Sequence, residues 1–130
     1  MKFTSIIQLL FIVLIIQGCA TRQLTQEGQS AYEAGNYEAA LQAYDQVIEK
    51  SESQGETAEA TVYYKAGMAA WQLKQTDKAL EYLERAEYLE YPSPKLYLTL
   101  AEISESIDNL SKELDALENY HKKYPKGDLI

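Results

Sequence analysis

The chain has one cysteine, Cys19, in 130 residues, so no intramolecular disulfide can hold it together. It has one histidine, His121, beside Lys122 and Lys123. Such a position suits a helix end, where cations interact favourably with the helix dipole, and it supplies neither a metal-ligand cluster nor a general base. Serines are present, but no nucleophile elbow, phosphate-binding glycine loop or zinc spacing accompanies them. We therefore expect no enzyme: no catalytic residues, no metal site and no cofactor. Long apolar runs are missing as well. The stretch from Ile6 to Ile16, interrupted only by Gln8, is about half the roughly 20 residues that span a bilayer. No alternating apolar run of the strand kind survives between the turn signals, which argues against β structure. Basic residues are scarce too, with 12 Lys and Arg against 20 Asp and Glu. The resulting net charge of −8 opposes binding to nucleic acid or to anionic lipid headgroups.

At the start of the chain, Lys2 and the amino terminus supply a positive region, and Ile6 to Ile16 supply the short apolar segment of an export signal. The residues that follow it, Ile16, Gln17, Gly18 and Cys19, resemble the lipobox of bacterial lipoproteins. That resemblance implies a diacylglyceryl group on the Cys19 thiol, cleavage just before it, and often acylation of the new amino terminus. Gln17 departs from the small or apolar residue usual at its position. Two or three acyl chains anchor stably where one binds only marginally. Residues 1–18 are thus expected to be a lipoprotein signal peptide and residues 19–21 a lipidated amino terminus with a short tether. Residues 22–130 would form one helical domain, and the mature chain would carry a charge of −9. Ala20 follows the cysteine and no Asp stands there, which by the same resemblance implies the outer membrane, on its periplasmic face. In a one-membrane bacterium it would imply the outer face of the plasma membrane.

Small residues reveal a repeat. Gly28, Gly67 and Ala101 each begin a stretch with Ala40, Ala79 or Glu113 twelve positions on, and Tyr44, Leu83 or Leu117 sixteen positions on. The second and third starts are 34 residues apart and the first two 39 apart, the excess fitting the polar stretch from Ser51 to Gly55. Six helices are expected, near 22–34, 37–51, 57–73, 76–90, 94–107 and 110–124. Asn36, Thr76, Ser93 and Asn109 are suitable N-caps, Pro94 suits a first helical turn, and Pro125 with Gly127 ends the last helix. A 34-residue period of helix, tight turn and helix resembles the tetratricopeptide repeat. The likeness runs from about Thr21 to Lys126, in units near 21–52, 60–92 and 94–126. It implies an all-α, right-handed α-solenoid of about three helix-turn-helix units. The first unit matches at Gly28, Gly35, Tyr37, Ala40 and Tyr44. The second has Lys74 where the turn glycine would stand, and the third has Glu113 where a small residue is expected.

Tight helix pairing accounts for Gly28 and Ala40, and Tyr37 and Tyr44 are expected to fill the space between neighbouring units. In tetratricopeptide domains the first helix of each unit lines a concave groove. Aligned residue by residue, that groove would hold Tyr32, Tyr64, Met68, Trp71, Leu98 and Glu102, alongside Thr25, Gln29, Glu33, Thr61, Gln72 and Glu105. Such a lining suits an extended peptide or an amphipathic helix, with Tyr32, Tyr64 and Trp71 as anchors or simply as packing between repeats. The Lys, Asn and Arg of the family's carboxylate-clamp subset are missing here, which argues against a receptor for acidic peptide termini. Glu81, Glu84, Glu87 and Glu90 read as a solvated helix face, with Glu81 and Arg85 as an intrahelical pair. The chain stops six residues after Tyr124, which leaves Leu114, Leu117 and Tyr120 at risk of exposure and suggests docking or self-association through the last repeat. These readings converge on a membrane-anchored adaptor or assembly factor of the bacterial cell envelope with a protein or peptide partner. The alternative is a periplasmic binding protein for peptidoglycan fragments or another small ligand.

Overall fold

The computed structural model describes residues 2–127, the side chains of 13–17 excepted. Among the described residues there are six α-helices and no strands. They are α1 (Lys2–Glu33), α2 (Tyr37–Ser53), α3 (Ala60–Gln72), α4 (Thr76–Tyr88), α5 (Pro94–Ser106) and α6 (Leu110–Lys123). Helices pair in chain order as α1/α2, α3/α4 and α5/α6, α2 then packs on α3 and α4 on α5, and α1 also reaches α3. This is a solenoid of three helix-turn-helix units. Its core is continuous, running from Ala40, Tyr44 and Ile48 through Ala66, Ala69 and Leu83 to Leu96, Tyr97 and Ile103.

The first helix begins at Lys2 and not near 22, so the expected boundary is corrected by some 20 residues. Nothing in that stretch stops a helix: no proline interrupts it, and Gly18 alone costs only about 1 kcal/mol relative to alanine. The apolar residues of its first turns stay open, with Phe3 81%, Leu9 62% and Phe11 67% exposed. Contact with the core begins at Leu24, and Ala31 and Tyr32 continue it. No helix among the described residues is long and apolar enough to cross a membrane. Part of the lipobox-like segment, the side chains of Ile16 and Gln17, lies outside the described residues, as do residues 128–130.

All five turns between the described helices close in the same way, with a left-handed residue following each helix. These residues are Gly35 (φ 75°), Gly55 (72°), Lys74 (60°), Glu90 (58°) and Asp108 (54°). Each turn makes the two bonds of a Schellman cap. After α1, Gly35 N–H donates to Tyr32 O at 3.0 Å and Asn36 N–H to Ala31 O at 2.9 Å. After α3, Lys74 and Gln75 donate to Trp71 O at 3.0 Å and Ala70 O at 2.9 Å. Lys74 therefore holds the glycine conformation at a cost of about 1 kcal/mol, which the cap bonds offset. Asn36 and Asn109 cap as expected, each accepting from a backbone N–H three residues on at 3.2 Å. Thr76 does not, because α4 already includes it and Gln75 holds the cap position without a side-chain bond. Ser93 holds the cap position of α5 but likewise makes no side-chain bond, and Pro94 starts that helix.

Helix pairing depends on two glycines. A Cβ on Gly28 would lie 2.8 Å from Tyr44 Cε1, and one on Gly67 would lie 2.7 Å from Leu83 Cγ and 3.1 Å from the Leu83 backbone nitrogen. Tyr44 thus fills space inside the first unit, against α1, rather than only between units. Gly67→Ala should lower stability by about 1–3 kcal/mol, the overpacking exceeding the helix-propensity gain of about 1 kcal/mol. Thermal melting followed by circular dichroism measures this, and an unchanged or higher midpoint would contradict the close contact.

Candidate functional site

Four tyrosines gather where α1, the start of α2, α3 and the α4–α5 connection meet. Tyr32 meets Tyr37 edge to face at 5.6 Å between ring centroids, and Tyr64 stacks on Tyr91 at 4.3 Å with planes 21° apart. All four are half-buried. Lys65, on α3, reaches across to α1, where its ammonium donates to Gln29 and lies 5.9 Å from the centre of the Tyr32 ring. Burial, with Tyr64, Tyr37 and Tyr91 nearby, pushes the Tyr32 phenol up to about 12, and burial together with Tyr64 also raises Tyr91. The hydroxyls and the Lys65 side chain offer hydrogen-bond donors, and the rings offer aromatic edges.

The six principal residues expected in the groove fall into four groups. Tyr32 and Tyr64 belong to the tyrosine cluster. Trp71 is half-buried nearer the α3–α4 turn, where the Lys74 ammonium lies 5.4 Å from the centre of its ring. Leu98 is half-buried and Glu102 exposed, both on α5. Met68 is only 3% exposed and belongs to the core, so it presents no groove surface. The residue types explain this correction: Met68 is flanked by Gly67, Ala69 and Ala70, all buried, on a helix closely packed along most of its girth. Lys65 and Tyr91 were not singled out from the sequence, and Tyr37 was expected only to pack between units. Tyr91 lies in a connection before Pro92, outside any helical period, and a periodic alignment passes over it.

The second helices of the units carry a polar ladder. Asp45 on α2 accepts from Lys78 Nζ at 2.8 Å and from the Tyr82 hydroxyl at 2.7 Å, both on α4. Glu84 on α4 pairs with Lys112 on α6, and Glu87 accepts from Asn119 Nδ2 at 2.9 Å. Instead of a wholly solvated glutamate face, then, Glu84 and Glu87 tie α4 to α6. Arg85 lies 5.9 Å from the centre of the Tyr63 ring and 5.2 Å from that of Tyr88, and no ion pair with Glu81 forms among the described residues. The sequence did hold a signal for the ladder, in residues of complementary chemistry spaced by about one repeat: Asp45 and Lys78, Glu84 and Lys112. These pairs are partly exposed, and each contributes at most about 1 kcal/mol. One open cleft borders the ladder and another lies away from it, between α1, the end of α2 and the start of α3. One of about 440 Å³ lies between Leu80, Glu84, Leu100, Ser104 and Ala116, and one of about 730 Å³ lies between Arg22, Gln26, Val47, Ala58 and Val62. Neither is lined by the tyrosine cluster. No group of His, Cys, Asp and Glu able to hold a metal occurs among the described residues.

Beneath the cluster Tyr44 is 1% exposed, and its hydroxyl has no hydrogen-bond partner. Burial first, then Tyr32 and Glu33, push its phenol up to about 12. Below pH 10 the phenol is neutral in both folded and unfolded chains. Between about 10 and 12 only the unfolded chain ionises, so stability should fall as pH rises through that window. Tyr44→Phe should be neutral or stabilising by up to about 1 kcal/mol at pH 7, since it removes an unpaired buried hydroxyl. It should also flatten the alkaline loss. Melting midpoints at pH 7 and pH 11 test both statements, and an equally steep alkaline loss in the variant would refute the assignment.

The tetratricopeptide repeat model matches residues 25–95, more than half of the chain. Among solved structures, the Arabidopsis OM64 TPR domain superposes with a TM-score of 0.69 at 18% identity, covering 86% of this chain and 88% of that one. A crystal structure of MamA gives a TM-score of 0.70 at 21% identity over 81% of this chain. MamA from AMB-1 gives 0.69 at 17% identity over 85%. This chain spans just over half of each MamA chain, 58% and 57%. Identities this low bear on the fold alone. No curated protein sequence matches the chain.

Proposed function

The chain belongs to the tetratricopeptide repeat family, a fold of interaction scaffolds, and on that premise we propose that it is a lipid-anchored adaptor of a bacterial cell envelope. In this reading residues 1–18 are a signal peptide, Cys19 carries the acyl groups, and residues 22–130 hold a protein or peptide partner at the periplasmic face of the outer membrane. The observation that carries the binding half is the half-buried cluster of Tyr32, Tyr37, Tyr64 and Tyr91 with Lys65 reaching across it. Aromatic side chains with free edges and hydroxyls supply large contact area at low conformational cost, which is how peptide-binding surfaces gain affinity. Support for the anchoring half is the lipobox-like segment together with an exposed, unpaired Cys19. The same reading leaves the last unit free to meet a second copy of the chain.

The small-ligand alternative gains little from the geometry. A stacking platform for a sugar needs open ring faces, yet Tyr64 and Tyr91 cover one face of each other and Lys74 lies close to the Trp71 ring. The remaining edges and hydroxyls suit a polypeptide better.

Two measurements test the proposal. Intact mass of the protein expressed in a lipoprotein-processing bacterium should correspond to residues 19–130 plus acyl groups, whereas Cys19→Ala should remain unacylated. A native protein at its full, unmodified mass would end the anchoring half. Capture from gently solubilised membranes should recover one envelope protein with the native chain and lose it with Tyr64→Ala, a variant whose melting must be close to native. Equal recovery with both chains would remove the tyrosine cluster from the binding site.

A further inference from the structure

The two ends of the solenoid differ. On α1, Arg22, Gln23, Gln26, Glu27, Ser30 and Glu33 are all exposed, so the first unit presents a polar face. At the other end Ile107 is 41% exposed, Leu110 64% and Leu114 57%. On α6, Ala116 and Tyr120 face the molecule's own core, while Lys112 and Asn119 are engaged by Glu84 and Glu87 of α4. The remaining side carries Leu110, Leu114, Leu117 and His121, spaced four, three and four residues apart, with Leu117 also packed in part against the core. That is the seam spacing of a two-helix coiled coil. No described helix covers its first two leucines.

We propose that a second copy of the chain covers this seam, the two α6 helices lying antiparallel about a two-fold axis. Two observations select this occupant. The polar face of α1 cannot accept an apolar ridge. On the proposed function, on which this step rests, cleavage before Cys19 removes the exposed apolar start of that helix, so a head-to-tail continuation of the stack is disfavoured and the ridge's best complement is itself. Charge along α6 is also divided lengthwise. Asp108 just before the helix and Glu113 and Asp115 in its first half leave that end net acidic beside Lys112, which Glu84 engages, while Lys122, Lys123 and Lys126 at or beyond the last turn outnumber Glu118 and leave the other end net basic. Antiparallel pairing sets each acidic half beside the other copy's basic half, with Leu114 near Leu117 and Leu110 near His121. Parallel pairing would set like charges side by side. A two-fold contact of this kind closes on itself and gives a dimer rather than a fibre.

The contact is short, since the 14 residues of α6 extend only about 21 Å. The net charge of −8 adds long-range repulsion between copies. A reversible dimer follows, at the small end of specific interfaces.

Sedimentation velocity of the full chain in density-matched detergent, over a concentration series, tests the proposal. The native chain should pass from monomer to dimer. Leu110→Glu/Leu114→Glu should dissociate at least about tenfold more readily, because carboxylates would have to be buried in the seam. Both positions are well exposed, so helicity and melting should stay native. Orientation is read with Leu114→Cys in a Cys19→Ser background, where a short bis-maleimide should link two copies. The same thiol placed by Gln46→Cys, on the exposed side of α2, should not link. A monomer at every concentration would overturn the proposal. So would a dimer that persists in the double glutamate variant, which would place the contact on the apolar start of α1, and so would oligomers that keep growing with concentration.

Discussion

Everything in this fold rests on how closely the two helices of a unit approach each other. In the first two units a glycine backbone lies against the side chain sixteen residues later, Gly28 against Tyr44 and Gly67 against Leu83, with no room for a Cβ. Ala40 and Ala79, fully buried, keep the facing helix equally narrow. The third unit has Ala101 and Glu113 at the corresponding positions, and there the large residue, Leu117, is only half-buried where Leu83 is fully covered. The open seam on α6 lies beside this less covered leucine.

Much of this architecture was legible from spacing. The period of small residues located three helix pairs, and most helix boundaries fall within a few residues of those expected, because asparagine caps and proline act locally. The failures share a cause: they depend on contacts between elements that periodicity does not report. Met68 reads as groove-facing from its alignment but is buried, because the small residues around it let neighbouring helices close over it. Glu84 and Glu87 read as solvated, and they find Lys112 and Asn119 one unit later. The beginning of α1 fails differently. Nothing in the chain's local chemistry ends a helix between Lys2 and Leu24, although the residues before Leu24 have little of the core to pack against.

Lys74 shows how a pattern can break while the geometry survives. The left-handed turn needs a backbone conformation rather than glycine itself, and lysine reaches it at a cost that two cap bonds offset. Asp108 does the same in the third unit, where a short polar side chain tolerates the conformation more readily. Loss of the turn glycine therefore says little about whether a unit is present.

On the proposed reading, tethering and pairing reinforce each other. A short α6 contact between two acidic chains is weak in free solution, because association must overcome lost translational freedom as well as charge repulsion. Anchoring at Cys19 would confine every copy to a thin layer at one membrane face and raise its effective concentration without any new contact. The polar face of α1 and the apolar seam of α6 lie at opposite ends of the stack, so one end can stay with the anchor while the other meets its twin. The tyrosine cluster lies between them, formed mainly by the first two units, and neither contact would cover it. An arrangement of this kind presents two copies of one aromatic surface at a fixed separation, which favours partners that are themselves paired or repetitive.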